Sequence, residues 1–250
     1  MKKFLFAATF ALFASTQAFA IIGVGAHYLM NTGSLKASSG DVRDLGLITV
    51  NQEKSDGLQG LGFKLWIDLL PFVDIEGTFN IAASRYRTSL SFPNVPGGLN
   101  PVYLEYTPDA PYSMLFGKAS PIYGVATGDV SVTYPFDILP IIRPYVGAGF
   151  SYFMSTPVVD KAFVDKVIDP SKYQSGIPQG GGDIGPTVMK ALKDADYETG
   201  MGGHIIAGVR IKAPIIPIAI YTNGKYYFGG NTDSKFSQGF VLEVGGGFAL

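Results

Sequence analysis

Residues 61–69 read Leu-Gly-Phe-Lys-Leu-Trp-Ile-Asp-Leu, an alternation that few folds can use. In an extended strand Leu61, Phe63, Leu65, Ile67 and Leu69 share one side, and Gly62, Lys64, Trp66 and Asp68 share the other. Similar two-faced segments recur at 21–30, 58–70, 73–86, 122–134, 141–154, 199–212, 216–228 and 236–250. Each reaches the ~9–11 residues that a tilted membrane strand requires. The apolar sets include Ile22, Val24, Ala26 and Tyr28 in the first segment and Phe240, Leu242, Val244 and Phe248 in the last. A greasy outside around a polar inside predicts an all-β fold, an eight-stranded antiparallel up-and-down transmembrane β-barrel.

The charges sort by the same parity. Lys64, Asp68, Asp74, Glu76, Asp129, Arg143, Arg210, Lys212, Lys225 and Glu243 all fall opposite the apolar faces. The sorting has physical weight, because a Lys or Arg facing lipid at the bilayer midplane costs about 2–4 kcal/mol. Connections alternate in length. Leu70-Pro71-Phe72, 135–140 and 213–217 are short and contain proline, whereas 31–57, 87–121 and 155–198 are long and 229–235 is intermediate. Short periplasmic turns and longer extracellular loops are expected from this pattern. Phe72, Tyr134, Phe136 and Phe248 are expected in an aromatic girdle at the turn end, and Tyr28, Tyr86, Tyr123, Tyr152 and Phe228 in one at the loop end.

The first twenty residues carry Lys2 and Lys3, an apolar run from Phe4 to Phe13 and the small-residue site Ala18-Phe19-Ala20. This reads as a cleaved signal peptide over 1–20, with the barrel domain over 21–250 and the outer membrane as destination. The run is too short for a spanning helix, which takes about 20 apolar residues. Charged residues make up 16% of the chain, against roughly 25% in soluble domains. Mean hydropathy is nevertheless positive, at +0.23, as expected when apolar residues are spread along strands. A formal charge of −1 excludes a basic nucleic-acid surface, and the absence of cysteine excludes disulfides and thiolate metal sites. No cofactor is expected. Gly180-Gly181-Gly182 lacks the Lys of a phosphate loop, and Asn231-Thr232-Asp233 reads as turn chemistry.

In plan the chain resembles the small outer-membrane β-barrels of Gram-negative bacteria, such as the transmembrane part of outer membrane protein A and outer membrane protein W. The resemblance rests on architecture over residues 21–250. It implies outer-membrane lipids and the outer-membrane assembly machinery as partners, with an extracellular partner or small solute at the loops.

Five inward acids and five inward bases then have two readings. They form a structural ion-pair network filling the lumen, or the pairs exchange to gate a narrow porin-like passage. Inward glycines, among them Gly60, Gly62, Gly147, Gly149, Gly245 and Gly247, make room for Trp66, Tyr145 and Tyr221 or leave a cavity. His27 and His204 also face inward. They are read as hydrogen-bonded interior groups, with a lipid- or peptide-cleaving enzyme as the alternative. A soluble periplasmic ligand-binding barrel with its apolar faces turned inward is the rival fold. In the long loops, Val102–Tyr106 and Tyr112–Phe116 suggest a hairpin. Val159, Phe163 and Val167 suggest one helix, and Pro186 opens a second running to Asp196.

Overall fold

In the computed structural model of the chain, residues 22–68, 72–93, 101–105, 119–136, 141–169, 172, 182–212, 216–229, 236–237 and 239–249 are described. The segment 1–20, Tyr106, 112–116 and Asn231-Thr232-Asp233 lie outside them. The strands are β1 (Ile22–Leu35), β2 (Ser38–Asp41), β3 (Thr49–Gln52), β4 (Ser55–Ile67), β5 (Asp74–Arg85), β6 (Thr88–Ser91) and β7 (Val102–Tyr103). They continue as β8 (Ile122–Pro135), β9 (Ile142–Ser155), β10 (Glu198–Lys212), β11 (Ile218–Gly229), β12 (Phe236–Ser237) and β13 (Phe240–Ala249). Helices α1 (Lys161–Val167) and α2 (Ile184–Asp194) lie between β9 and β10.

Eight of these strands close a barrel. β1, β4, β5, β8, β9, β10, β11 and β13 pair antiparallel in chain order, and β1 pairs with both β4 and β13. The alternation sets their facing: Phe63 is 64% exposed and Lys64 between it and Leu65 only 1%. Phe150 and Met201 reach 82% and 79% exposure on the outer wall. A soluble barrel would turn these outside in, so the rival soluble fold is ruled out by the observed facing. Tyr28, Tyr152 and Phe228 are exposed at one rim of this belt, and Phe72, Tyr134, Phe136 and Phe248 at the other.

Two aromatic expectations fail. Tyr86 and Tyr123 belong to no girdle; they are 2% and 0% exposed. Tyr123 has the inward parity of Val125, and Tyr86 lies just past β5, where its hydroxyl accepts a hydrogen bond from the Val159 amide at 3.0 Å. Strand limits also shift. β1 runs to Leu35 rather than 30, β4 begins at Ser55 rather than 58, and the expected 236–250 strand is divided into β12 and β13. Thr32 and Gly33 of β1 together oppose the single residue Gly57 of β4 at a register shift, one residue in excess, and Gly57 takes φ +71°, which a side chain would strain.

Beyond that bulge the long connections fold on their own account. β2, β3, β6 and β7 form a second, four-stranded antiparallel sheet. One face alternates into a core, with Val50 and Leu90 fully buried. The other carries Ser39, Asn51, Ser89 and Tyr103 in a single lateral row. α1 packs under this sheet against β2 and β3, and α2 against α1. Asp160 caps α1, accepting the Phe163 amide at 2.9 Å. α2 starts at Ile184, so Pro186 sits in its first turn rather than opening it. Arg43 and Asp44 occupy left-handed backbone, φ 49° and 55°, in the loop between β2 and β3. α1 clasps this strained turn: the Arg43 amide donates to Asp165 at 2.8 Å, and Lys161 reaches Asp165 at 2.7 Å and Asp44 at 3.4 Å. Leu35, Val42, Ile48, Val164, Ile184 and Val188 of this cap form one apolar cluster with Leu29, Val125, Phe153 and Val241 of the barrel interior.

Candidate functional site in the barrel lumen

The inner wall has two zones. One is ionic. Lys64 reaches Glu76 at 2.6 Å, and Arg210 reaches Glu76 at 2.5 Å, Asp68 at 3.1 Å and Asp74 at 3.4 Å. Asp68 also takes Lys212 at 2.6 Å and Arg143 at 3.3 Å. Nearer the cap, Lys225 bridges Asp129 at 2.8 Å and Glu243 at 2.9 Å. The two clusters are joined by neutral groups. Lys64 donates to Tyr145 at 3.0 Å, Tyr145 donates to Asn223, and Asn223 donates to Glu243 at 2.7 Å. All ten charged residues singled out above thus lie in one connected network.

These links cross the bore. β5 and β10, β8 and β11, and β4 and β9 each stand three strands apart around the eight-stranded circle, and each pair is tied by an ion pair or hydrogen bond. Aromatic rings fill the space between. The Arg210 guanidinium lies 4.9 Å from the Trp66 ring centre, and Lys64 lies 5.0 Å from that of Tyr221. Glycine makes this filling possible: a Cβ at Gly23 or Gly247 would run into the Trp66 indole, one at Gly25 into Tyr221 and one at Gly208 into Tyr145. Of the inward glycines expected to seat the large rings, Gly247 meets Trp66, whereas Gly62 and Gly245 lie against His27 and Gly149 against His204. Trp66, Lys64, Lys225, Arg210 and Tyr221 rank among the most deeply buried large side chains.

Each histidine has both ring nitrogens occupied. His27 meets Tyr221 at 3.1 Å through Nδ1 and Asn80 at 2.7 Å through Nε2. His204 lies between the hydroxyls of Ser131 and Ser151, both at 2.8 Å. Those serines escaped sequence reasoning. They come together because Ser131, Gly149 and His204 are register partners across β8, β9 and β10, and Gly149 leaves room for the ring. Nothing in the linear spacing marks the trio.

The second zone is a small pocket between the ionic layer and the cap. Leu29, Ala82, Val125, Phe153, Phe236 and Val241 supply apolar wall. Asn31, Asn80, Thr127 and Tyr227 add polar points, and no lining side chain is charged. Asn80 and Tyr227 belong to both zones. The Asn80 amide donates to Glu243 at 2.9 Å, and the Tyr227 hydroxyl donates to Asp129 at 2.9 Å.

An uncharged outer belt of exposed Leu, Ile, Val, Phe and Tyr around an ionic interior is the inverse of a soluble domain. The fold is that of an outer-membrane β-barrel. Among the described residues no helix is long and apolar enough to cross a membrane. Comparison with solved structures found similar barrels at low identity. The attachment invasion locus protein Ail of Yersinia pestis, in complex with the heparin analogue sucrose octasulfate, is 8% identical with a TM-score of 0.43, over 92% of this chain and 97% of that one. Neisserial surface protein A is 12% identical with a TM-score of 0.41, over 90% and 94%. The outer membrane protease OmpT of Escherichia coli is 8% identical with a TM-score of 0.32, over 91% and 97%. No family model and no curated protein matches the chain. Likeness at this level carries no functional argument, and the barrel stands on its own strand pairing.

Proposed function

We propose that this chain is a non-enzymatic outer-membrane protein with a closed lumen, and that its cap meets an extracellular partner or small solute. Residues 1–20 direct export and are removed, the assembly machinery inserts 21–250, and the apolar belt contacts outer-membrane lipid. The observation that carries the reading is the set of ion pairs tying strands three apart across the bore. Passage of a solute would require several of these pairs to part together. Opening one buried pair leaves an uncompensated charge and costs about 3–5 kcal/mol.

The geometry argues against an enzyme built on either histidine. Ser131 is within proton-transfer distance of His204, yet the two are 1% and 0% exposed. A nucleophile must reach a substrate carbonyl or phosphoryl, and here the wall beside it is filled. The test is conductance of the purified barrel in planar bilayers. Flat traces are expected, and stepwise currents from the wild-type chain would refute the closed lumen. Orientation is tested separately. The chain has no cysteine, so a cysteine placed at the exposed Leu45 or Tyr197 of the cap provides a unique thiol. A membrane-impermeant maleimide applied to whole cells should label it, and protection until the cells are opened would reverse the assignment.

A further inference from the structure

We propose that the outer wall at the top of β5 and β8 binds a phosphate-bearing lipid of the outer leaflet, with Arg85 and Arg87 on the phosphate and an acyl chain in a groove along β8. The inference deepens the reading of the belt as lipid-facing and rests on the outward orientation of the cap. It starts from two arginines that the lumen network does not use. Arg85 ends β5 on the same face as Phe79 and Ile81, and the alternation continues past the strand, with Arg87 exposed and Tyr86 and Thr88 buried. Ten residues separate Arg85 from Ile75 at the turn end of β5. On a tilted strand that is about 25 Å of height, the height of the apolar band, so Arg85 stands at headgroup level. Among the described residues neither guanidinium has an ion-pair or hydrogen-bond partner. Lys54 nearby is already held by Asp56 at 2.7 Å, and Glu53 donates its amide to the Arg87 carbonyl at 2.9 Å without pairing its carboxylate. The backbone under the two arginines is fixed from both sides: the Ser55 hydroxyl donates to the Arg85 carbonyl at 2.9 Å and the Tyr86 amide to the Pro121 carbonyl at 3.1 Å. Two guanidinium stems are thus held roughly 7 Å apart, each able to grip a phosphate with paired charge-assisted hydrogen bonds.

An apolar groove runs down the wall below them. Its walls are Phe79 and Ile81 of β5 on one side and Tyr152 and Met154 of β9 on the other, all four exposed. They stand two strand spacings apart, about 10 Å. The β8 residues between them are Gly128 and Ala126, register partners of both walls. A Cβ at Gly128 would meet nothing, so the groove is open on the lipid side. Exposed Val130 closes its lower end, and Arg85 stands at its head beside its register partner Ile122. Charge complementarity selects the occupant. Unpaired cations at headgroup height above an apolar trough fit an anionic head joined to a hydrocarbon tail, and a soluble anion would use only the upper half.

The experiment places the full chain in dodecyl-maltoside micelles, which carry no phosphate, and follows bound dimyristoyl phosphatidate by native mass spectrometry. One saturable phosphatidate per chain is expected. Dimyristoylglycerol, the same lipid without its phosphate, should bind at least tenfold more weakly, and inorganic phosphate at equal concentration should not displace the lipid. Arg85→Gln with Arg87→Gln should weaken phosphatidate at least tenfold. Lys166→Gln with Lys190→Gln, an equal loss of charge at exposed positions of the cap, should leave it unchanged. Gly128→Leu fills the groove from its open side and serves as the second variant, with the heat-modifiable folded band as the check on folding. Unchanged binding in the arginine pair or in Gly128→Leu, an equal loss in both charge pairs, or equally tight dimyristoylglycerol would overturn the site. Full displacement by inorganic phosphate would overturn the lipid as its occupant. Thiol labelling of the cap separates this failure from that of the orientation: a labelled cap without phosphatidate binding sinks this site alone, whereas a protected cap sinks the orientation and the outer leaflet with it.

Discussion

Lys225→Met tests the ionic network most directly. The ammonium is fully buried and lies 2.8 Å from Asp129 and 2.9 Å from Glu243. At an effective dielectric of about 20, each contact carries roughly 6 kcal/mol of Coulomb energy before desolvation is counted. Much of that gross energy offsets the cost of taking three ions out of water. Removing the lysine alone leaves Asp129 with the Tyr227 hydroxyl and Glu243 with the Asn80 and Asn223 amides, all neutral donors. The net loss should be about 3–5 kcal/mol, the range for an orphaned buried charge. Urea unfolding in lipid vesicles, followed through the single Trp66, measures it. A triple variant, Lys225→Met with Asp129→Asn and Glu243→Gln, should recover most of the loss, because removing a whole buried ionic set is often near neutral. A loss below about 1 kcal/mol for Lys225→Met would mean that water screens these charges, and the closed lumen would have to be abandoned.

Gly23→Leu should deny Trp66 its seat and abolish the heat-modifiable folded band on gels, since a Cβ at Gly23 falls within the indole. His204→Ala should cost about 1–3 kcal/mol in the same urea assay by stranding the hydroxyls of Ser131 and Ser151. Acid should loosen the cap before the barrel. Burial raises the Asp165 pKa, but the hydrogen bond and charge of Lys161 and the Arg43 amide outweigh it and hold the carboxyl below its ordinary value. With a depressed folded-state pKa, the stabilisation is complete above the unfolded value of about 3.9 and disappears as pH falls through the folded value. Hydrogen exchange in α1 should therefore accelerate below about pH 4 while β5 and β10 stay protected; equal acceleration in all three would contradict the clasp.

The barrel was legible because a membrane enforces a period of two on every strand, and the Leu61–Ile67 run displays it without interruption. The inward parity of the charges was legible for the same reason. Which acid meets which base was not. Lys64 and Glu76 sit on neighbouring strands, but Arg210 and Glu76 meet across the bore, which depends on stagger and closure that no local pattern encodes. The cap was largely hidden. Ser38–Asp41 reads Ser-Ser-Gly-Asp, turn chemistry by composition, and becomes a strand only through pairing with β3. In α1 the Val159–Phe163–Val167 spacing pointed to a helix, yet Val159 precedes the cap residue and the fully buried position within the helix is Val164. Tyr86 and Tyr123 were misplaced because an aromatic near a strand end was assigned by height alone, when parity already turned Tyr123 inward.

The cap sheet has one further consequence. Its underside, with Val50 and Leu90, shares an apolar cluster with the barrel interior, while Ser39, Asn51, Ser89 and Tyr103 look away from it. Neighbouring codons in these short segments are therefore under opposite pressures. Among descendants of this sequence, every second residue should diversify freely while its neighbours hold still, so that the visible surface can be rewritten without disturbing what lies within the membrane.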